Sequence, residues 1–526
     1  MSHTRAVWLF VLALTALRFT MLGTSDLSFD EAHYWMWSER LAPAYFSKGP
    51  GIAFAIRAST ALFGNGEFGV RFWSPILGAA TTLLAYYFTR KLFNERAGFW
   101  TVVALNAVPL FNVGNLVMTI DPLSIFFWMA AMFTFWLALE RAEKSLWLWA
   151  ATGLLIGVGF LCKYTNAFEL ISVLLVLALV PRHRREFKRP GVYLLLGVFV
   201  ICLVPPLIWN YQHTWITLSH LRSRGGLDQS FSIRPLEVLG FLFAHFLTFS
   251  PLLFLALAWA VVANWRRARQ QFKVLYLFWF GLPVFAFYFL LSINDQAAPN
   301  WDVLAFVSLA VLAAAYWTER LEASRAARRF LSWAIVLGLG LSLFVMDTDL
   351  LRSLNLPFPH HRDPADRVRG WKSASRAVEK IRAELEPKIG APVFIIADQR
   401  DRASEMAFYF NHKRVEGPGH PAVYIVESQD ISNQFSFWPR YDEFVEAPPN
   451  TPLPDGEVYS EEEGVNLFTG RSALYIQNGK SDLVPHNIRA GFQSVERIAT
   501  IQVSRFGAQM REWQVFVCRN YRTLPL

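Results

Sequence analysis

Residues 191–209 read GVYLLLGVFVICLVPPLIW, a stretch without a single charged side chain. A helix needs about 20 mostly apolar residues to cross a bilayer, so this stretch predicts a membrane span. About eleven segments share this character, and they occupy residues 6–22, 71–89, 97–116, 122–139, 146–162, 166–181, 191–209, 236–263, 274–291, 301–317 and 330–346. The segment 236–263 is long for one span, which indicates a tilt or a break near Pro251. Since the first segment lacks a convincing cleavage site, we expect a retained helix there.

The composition supports the same interpretation, because 54% of the 526 residues are hydrophobic and only 17% are charged. Soluble proteins carry about 25% charged residues. The deficit falls in residues 1–346, whereas residues 347–526 resemble an ordinary soluble domain. This tail has an amphipathic pattern at 366–386, a helical one near 402–411 and strand-like runs at 393–397, 422–426, 473–477 and 513–518. We therefore predict a polytopic α-helical membrane domain, residues 1–346, followed by a small α/β domain, residues 347–526.

Lysine and arginine are distributed unevenly between alternate connections of the predicted spans. One set holds nineteen: Arg5, Arg90, Lys91, Arg96, Arg141, Lys144, Arg182, Arg184, Arg185, Lys188, Arg189, Arg266, Arg267, Arg269, Lys273, Arg320, Arg325, Arg328 and Arg329. The other set holds seven: Arg40, Lys48, Arg57, Lys163, Arg222, Arg224 and Arg234. Because cytoplasmic loops carry the excess of positive charge, the N-terminus is predicted to be cytoplasmic and the tail to lie outside a plasma membrane. Since the net charge of +9 lies in these short loops, we expect no nucleic-acid binding.

Carboxylates follow the first span on the predicted outer face, in Asp30-Glu31-Ala32-His33-Tyr34-Trp35. A partly desolvated carboxylate has a raised proton affinity, which suits a general base. The alternative is that Asp30 caps the helix that follows. Asp121, followed by Pro122, lies in the next outer turn and has the same alternative, since Asp-Pro is common at helix starts. The sequence alone leaves both alternatives open.

Few basic residues face outward, and four of them stand near glycine or aromatic residues: Lys48, Lys163, Arg222 and Arg224. Cations at the membrane surface can hold a lipid phosphate. The alternative is that their side chains extend to the headgroups without a specific role. His245 is a lone histidine on an apolar segment, so we expect a packing role, and no spacing of residues indicates a zinc site.

Several motifs together resemble a known family. They are the acidic stretch from Asp30, then Ser47-Lys48-Gly49-Pro50, Asp121-Pro122, Lys163-Tyr164-Thr165 and Pro299-Asn300-Trp301. In this order they resemble the GT-C glycosyltransferases that use lipid-linked sugars. The resemblance is to the protein O-mannosyltransferase-like branch, which includes enzymes adding aminoarabinose or galacturonate to lipid A.

This resemblance implies an inverting transfer from a polyprenyl-phosphate sugar donor to a lipid, glycan or protein hydroxyl at the outer face of the bacterial inner membrane. It implies that Asp30 is the catalytic base and that Asp121 is required. It further implies a substrate-binding set, namely Glu31, His33, Tyr34, Lys48, Lys163, Tyr164, Arg222, Arg224, Asn300 and Trp301. Ser47 replaces a metal-binding glutamate of the aminoarabinose enzymes, which argues against a metal site.

Two further departures fall near the last part of the motif series. The family often has Asn-Trp-Pro and an upstream lysine, whereas this chain has Asn300-Trp301-Asp302 and, upstream, Asn294-Asp295-Gln296, so we expect different donor contacts there. The main alternative function is a transporter or flippase of lipid-linked saccharide. Transporters often show internal repeats and broken or charged helices at mid-membrane. Here no repeat is found, and polar residues gather at one face.

Overall fold

The computed structural model describes residues 2–141, 145–228, 230–294, 297–356, 358–411, 414–443 and 466–522. Lys144, Asp295 and Gln296, which the sequence analysis used, lie outside these described residues. The chain forms two compact units. The helical unit comprises Met1–Thr24 and Leu41–Leu350, and the mixed unit comprises Ser25–Arg40 and Leu351–Leu526. The mixed unit thus includes residues 25–40, which the sequence-based boundary at 346 did not assign to the tail.

The helical unit is built of apolar helices joined by short turns. Its α-helices are His3–Met21, Gly51–Phe63, Glu67–Arg71, Trp73–Leu92, Glu95–Ala107, Pro109–Gly114, Ile120–Arg141, Leu146–Cys162, Phe168–Leu179, Pro190–Gln212, Ile216–Arg224, Pro235–Thr248, Pro251–Ala268, Phe272–Leu291, Val303–Ala323 and Arg325–Met346, with 3₁₀ helices at Tyr164–Ala167 and Pro181–Lys188. A short helix, Asp349–Ser353, follows where the two units join in sequence.

Among the described residues, six helices are long and apolar enough to cross a membrane. Two bent pairs of helices bring this number to eight if each pair is one span. The protein is therefore a polytopic helical membrane protein. The predicted break near Pro251 is confirmed, because helices Pro235–Thr248 and Pro251–Ala268 are bent by 111°. Ser250, with φ of 74°, forms the bend, and Pro251 starts the next helix, where its missing N–H has no cost.

Glycines let two helices of the helical unit approach closely. A Cβ atom at Gly153 would lie 2.2 Å from the carbonyl oxygen of Leu195, and one at Gly157 would lie 2.7 Å from the Cys202 side chain. Small residues at such spacing are typical of packed membrane helices. Helix Leu146–Cys162 therefore packs closely against helix Pro190–Gln212. Lys163 directly follows helix Leu146–Cys162, so this packing restricts its backbone.

In its described residues the mixed unit contains a five-stranded sheet with four α-helices. Its strands are β1 (Phe394–Ala397), β2 (Tyr424–Ile425), β3 (Ala473–Asn478), β4 (Phe492–Arg505) and β5 (Ala508–Tyr521), in the order β2-β1-β3-β5-β4. Strands β2, β1 and β3 are parallel, whereas β5 pairs antiparallel with β3 and β4. The α-helices are Phe29–Ser38, Trp371–Ile389, Arg400–Tyr409 and His486–Gly491, and 3₁₀ helices occupy His360–Arg362, Pro364–Val368 and Gln434–Phe437.

The strand-like runs predicted for the tail all fall on strands of this sheet. Strand β4 was not predicted, because its sequence mixes Glu496, Arg497 and polar residues with isolated apolar ones. It lies at the edge of the sheet, where most of its side chains are exposed. An edge strand with one partner does not need the clean alternation of a buried strand.

Helix Phe29–Ser38 packs within the mixed unit, far in sequence from its partners. The backbone N–H of Leu27 donates to the Tyr409 hydroxyl at 2.6 Å, and Trp35 makes an edge contact with Phe408 at 5.1 Å. Arg40 donates to the carbonyl oxygens of Gly419 and His420. The predicted short helices at 30–40 and 51–63 are both present, and residues 31–38 of the first are buried.

Candidate active site

Asp121 lies in the first turn of helix Ile120–Arg141, and both of its carboxylate oxygens have side-chain partners. Oδ1 accepts a hydrogen bond from Lys163 Nζ at 2.8 Å, and Oδ2 accepts one from Asn300 Nδ2 at 3.2 Å. Lys163 Nζ also donates to the Asn300 carbonyl oxygen at 2.7 Å. The carboxylate is thus directed at a cation and an amide. We call Asp121, Lys163 and Asn300 the Lys163 centre.

The Lys163 centre is largely removed from water but not sealed. The side chain of Lys163 is 8% exposed and that of Asp121 is 17% exposed. Lysine has three N–H donors, and the two contacts above use two of them, so one remains for a ligand oxygen. Helix Leu146–Cys162 ends at this point, and Lys163 adopts an extended backbone before the 3₁₀ turn Tyr164–Ala167.

Lys48 lies on a segment that packs against the same helix end. A Cβ atom at Gly49 would lie 2.2 Å from the Leu161 carbonyl oxygen, and one at Gly51 would lie 2.5 Å from Cys162 Sγ. Only glycine permits this backbone approach, which explains the Lys-Gly-Pro-Gly order. The segments that carry Lys48 and Lys163 are therefore neighbours.

Helix Ile216–Arg224 brings two further predicted cations to the same region of the helical unit. The Arg224 guanidinium lies over the Trp301 ring at 5.2 Å, a cation–π distance. The helix also contacts the segment before Lys48, since Thr217 donates to the Tyr45 carbonyl oxygen and His220 lies 4.6 Å from the Phe46 ring. The Arg222 side chain is exposed.

Tyr164 follows Lys163 directly. Its ring packs on Phe160 at 4.9 Å, and its buried hydroxyl has no hydrogen-bond partner among the residues that the structure describes. An unsatisfied buried hydroxyl is costly, which fits a residue awaiting a ligand. Of the predicted residues of the helical unit, the structure joins Asp121, Lys163 and Asn300 by hydrogen bonds and Arg224 to Trp301 by a ring contact. A common site for the whole set stays a prediction.

Asp30 and Glu31 both lie in the first turn of helix Phe29–Ser38, in the mixed unit. The cap of this helix is Ser28, whose hydroxyl accepts from the Glu31 N–H while the Glu31 carboxylate accepts from the Ser28 N–H at 2.9 Å. This reciprocal capping box uses the fully buried Glu31, and Asp30 is not the cap. The approach of Asp30 to the Lys163 centre stays a prediction.

His33 and Tyr34 are buried on the same helix. His33 Nδ1 lies 3.1 Å from the Ser404 hydroxyl, and its ring stacks on Phe435. Burial, together with the positive charge of Arg400, lowers the pKa of His33 from 6.5 to about 3, so the imidazole is neutral at pH 7. Tyr34 packs against Trp37 with ring centroids 5.1 Å apart. In the structure His33 ties helix Phe29–Ser38 to Ser404 and Phe435, whereas the contact of Tyr34 with Trp37 lies within that helix.

The sequence analysis missed one pair of polar residues beside the Lys163 centre. His245 Nε2 lies 2.8 Å from Asp302 Oδ1, and both side chains are fully buried. Because His245 Nδ1 also meets the Phe241 carbonyl oxygen, its packing role is as expected, but the partner of its second nitrogen is a carboxylate. The signal available in the sequence was Asp302 itself, which stands where the resembled family often has proline.

The residues do not fit a metal at the position that the resemblance implied. Ser47 is buried, and its hydroxyl lacks the charge that a carboxylate brings to a divalent ion. In the mixed unit His360, Asp363 and Asp366 lie within ligand distance of one another. His360 already pairs with Asp366 at 3.0 Å, and Asp363 pairs with Arg352 at 2.7 Å. These internal contacts account for the cluster, so we assign no metal ligand.

Comparisons with known proteins support the family resemblance. Residues 47–209 match the family described as dolichyl-phosphate-mannose-protein mannosyltransferase. The chain is 28% identical over 408 residues to the lipid A galacturonosyltransferase RgtD of Rhizobium johnstonii, covering 77% of this chain and 82% of the relative. It is 28% identical over 297 residues to the undecaprenyl phosphate-alpha-4-amino-4-deoxy-L-arabinose arabinosyl transferase of Pseudomonas aeruginosa, covering 55% of this chain and 53% of that one.

The fold has a solved counterpart. The structure of ArnT from Cupriavidus metallidurans bound to undecaprenyl phosphate matches with a TM-score of 0.58 and 16% identity over 98% of both chains. At this identity the likeness concerns the fold. The resemblance inferred from the sequence is thus confirmed, and the chain has the fold and the sequence relationships of the GT-C glycosyltransferases.

Proposed function

We propose that this protein is an inverting glycosyltransferase that moves a sugar from a polyprenyl-phosphate donor to a hydroxyl group of lipid A or a related envelope glycolipid. The observation that carries the proposal is the Lys163 centre, a paired cation with one N–H left for a phosphate oxygen. The relatives named above are transferases, and the comparisons give no support to the transporter alternative.

The reaction that we propose is a single displacement. Asp30 takes the proton of the acceptor hydroxyl, whose oxygen forms a bond to the anomeric carbon. The bond from that carbon to the phosphate oxygen breaks, and polyprenyl phosphate leaves with the electron pair. Lys163 and Lys48 face the negative charge that grows on this phosphate, which is the usual use of preorganised cations. In this proposal Arg222 and Arg224 bind the same group.

The membrane arrangement is part of the proposal. We propose eleven crossings from the apolar segments of the sequence, and the charge of the loops supports a cytoplasmic N-terminus in the bacterial inner membrane. Polyprenyl-linked sugars are the donors that remain available on the outer side, where nucleotide sugars are not supplied. The bilayer itself is then a partner of the helical unit, and the donor and acceptor both reach the site from it.

An apolar cavity supports the choice of a donor with a long hydrocarbon chain. It is lined along helix Val303–Ala323 from Val303 to Leu321. At 1.5 Å per residue these positions span about 27 Å, close to the hydrocarbon thickness of a bilayer. Val303 is three residues from Asn300, so the cavity begins beside the Lys163 centre. We propose that the polyprenyl chain of the donor occupies it.

The cavity can be tested apart from the chemistry. Ala310→Phe narrows it, and we expect a several-fold higher KM for an undecaprenyl donor with little change for a donor carrying a short, three-isoprene chain. The measurement is initial rate against donor concentration for both donors. Equal effects on the two donors would place the chain elsewhere.

The central experiment uses purified protein in detergent with a radiolabelled undecaprenyl-phosphate sugar and lipid A. The expected result is release of undecaprenyl phosphate together with label on lipid A. Mass spectrometry of envelope lipids from cells with and without the protein identifies the sugar. A protein that moves the intact lipid-linked sugar across vesicles without breaking the glycosidic bond would instead be a flippase.

A further inference from the structure

His245 and Asp302 form an ion pair or its neutral equivalent inside the helical unit. The distance from His245 Nε2 to Asp302 Oδ1 is 2.8 Å, and neither side chain is exposed. The pair is enclosed by aromatic rings, with Phe306 at 5.2 Å and Phe241 at 4.4 Å from the imidazole. In such apolar surroundings the hydrogen bond between the two groups is strengthened.

The proton content of the pair follows from its partners. His245 Nδ1 lies 2.8 Å from the Phe241 carbonyl oxygen, which can only accept, so Nδ1 carries a hydrogen. The contact between Nε2 and Oδ1 needs one more proton, which is held by either atom. The pair therefore has no net charge in both forms.

Stability alone does not explain this arrangement. Replacing a buried ion pair with apolar residues of similar volume is often neutral or stabilising. Asp302 stands at the N-cap of helix Val303–Ala323 but makes no capping hydrogen bond, so the helix lacks the stabilisation that such a cap gives. Its Oδ2 atom is buried without a hydrogen-bond partner among the described residues. The Asp302 carboxylate thus bonds to His245 and does not cap the helix that it precedes.

Asp302 is the third of three consecutive residues that are each held by a different part of the helical unit. The Asn300 carbonyl oxygen accepts from Lys163, and its side chain donates to Asp121. Trp301 lies under the Arg224 guanidinium. His245 holds Asp302 from helix Pro235–Thr248, the first arm of the 111° bend. Because planar peptide units link these residues, fixing Asp302 limits where the Asn300 carbonyl can lie.

We infer that His245 and Asp302 are positioning residues of the donor-phosphate site, acting through the Asn300-Trp301 segment on Lys163 and Arg224. They clamp the bent helix pair to the segment that orients these two cations. The inference rests on the proposed function, since it assigns the phosphate of the donor to the Lys163 centre. It gives a role to Asp302 at a position where the resembled family often has proline.

The test compares three variants with two matched controls. Asp302→Asn and His245→Gln each weaken the pair, and the double variant His245→Phe/Asp302→Leu replaces it with apolar groups that leave no buried charge. Thr248→Val lies on the same helix as His245, and Ser308→Ala lies on the same helix as Asp302. Both control hydroxyls bond only within their own helices in the described structure.

The measurements are equilibrium binding of undecaprenyl phosphate, KM for donor and for lipid A, and the thermal midpoint in detergent. We expect the folded double variant to bind undecaprenyl phosphate about tenfold to a hundredfold more weakly, with the KM for lipid A unchanged, because a shift of about 1 Å at a binding group has effects of this size. The controls should bind as the wild type does. A merely structural pair would change the midpoint and leave the two KM values in their wild-type ratio.

Two results overturn the inference in different ways. If the wild type binds undecaprenyl phosphate and the folded double variant binds it equally well, the positioning role of His245 and Asp302 is wrong and the proposed function stands. If the wild type neither binds undecaprenyl phosphate nor transfers sugar, the proposed function falls and the inference falls with it.

Discussion

Asp30 and Asp121 each lie in the first turn of a helix, but the polar contacts of these two turns differ between the mixed unit and the helical unit. In the mixed unit Ser28 and Glu31 cap the helix reciprocally, so the cap does not need Asp30. In the helical unit Asp121 itself is engaged, by Lys163 and Asn300. An acidic residue at a helix start is therefore not enough to assign a cap. The observed cap, Ser28 with Glu31, decides the question for Asp30, and the contacts with Lys163 and Asn300 decide the place of Asp121.

The largest expected effect concerns the carboxylate that does not cap. Asp30→Asn should lower kcat by about a thousandfold, since general-base catalysis contributes 10² to 10⁴, while binding of undecaprenyl phosphate stays near the wild-type level. The measurement is label transfer to lipid A at saturating donor. Ser28→Ala is the matched control, because it removes the cap and costs about 1 kcal/mol of stability but keeps the carboxylate. Wild-type turnover in Asp30→Asn would remove this residue from the mechanism.

The second effect concerns the carboxylate that is paired. Lys163→Met should raise the donor KM by at least about tenfold, equal to about 1.4 kcal/mol of binding. Adding Asp121→Asn to that variant should cost little more, because residues in direct contact are not additive. Lys91→Met is the control, since Lys91 forms an ion pair of the same 2.8 Å length with Glu140 but is well exposed. Strictly additive losses would mean that the two residues act separately.

A smaller effect is expected where only the backbone packing changes. Gly49→Ala places a methyl group 2.2 Å from the Leu161 carbonyl oxygen, so the segment carrying Lys48 must move away from Lys163. We expect the donor KM to rise several-fold with the KM for lipid A unchanged. Gly23→Ala is the control, because a Cβ atom there meets nothing within 4 Å. An unchanged donor KM in Gly49→Ala would separate Lys48 from the phosphate.

The smallest effect on the reaction is expected from a change that acts on stability and depends on pH. The folded pKa of His33 is lowered from 6.5 to about 3, so the unfolded chain takes up a proton below pH 6.5 while the folded chain does not. The contribution of His33 to the free energy of unfolding is therefore lost as the pH falls from 6.5 toward 3. At pH 5.5 this loss is about 1.4 kcal/mol. His33→Gln should narrow the difference in thermal midpoint between pH 7.5 and 5.5. The exposed His486→Gln should leave that difference as it is in the wild type.

The sequence predicted the secondary-structure elements better than it predicted the contacts between residues distant in sequence. Apolar runs and prolines reveal helices and the break at Pro251, because these depend on neighbouring residues. The partners of Asp121 are 42 and 179 residues away, and nothing local to Asp121 identifies Lys163 or Asn300. The family resemblance identified Lys163 and Asn300 as candidates, and the structure shows that both are hydrogen-bonded to Asp121. Strand β4 and the pairing of His245 with Asp302 were missed for the same reason, since each depends on a distant element.

The assignment of residues 25–40 to the mixed unit has a consequence for biosynthesis. Leu27 bonds to Tyr409, 382 residues later in the chain. At about 5 to 20 residues per second, a ribosome needs roughly 20 to 80 seconds to make the partner after the helix has emerged. During that interval Tyr34, Trp35 and Trp37 of helix Phe29–Ser38 lack the part of the mixed unit that buries them in the folded protein. A chain truncated before residue 400 would never acquire one, so shortening the tail should impair maturation of the enzyme even if every membrane helix is retained.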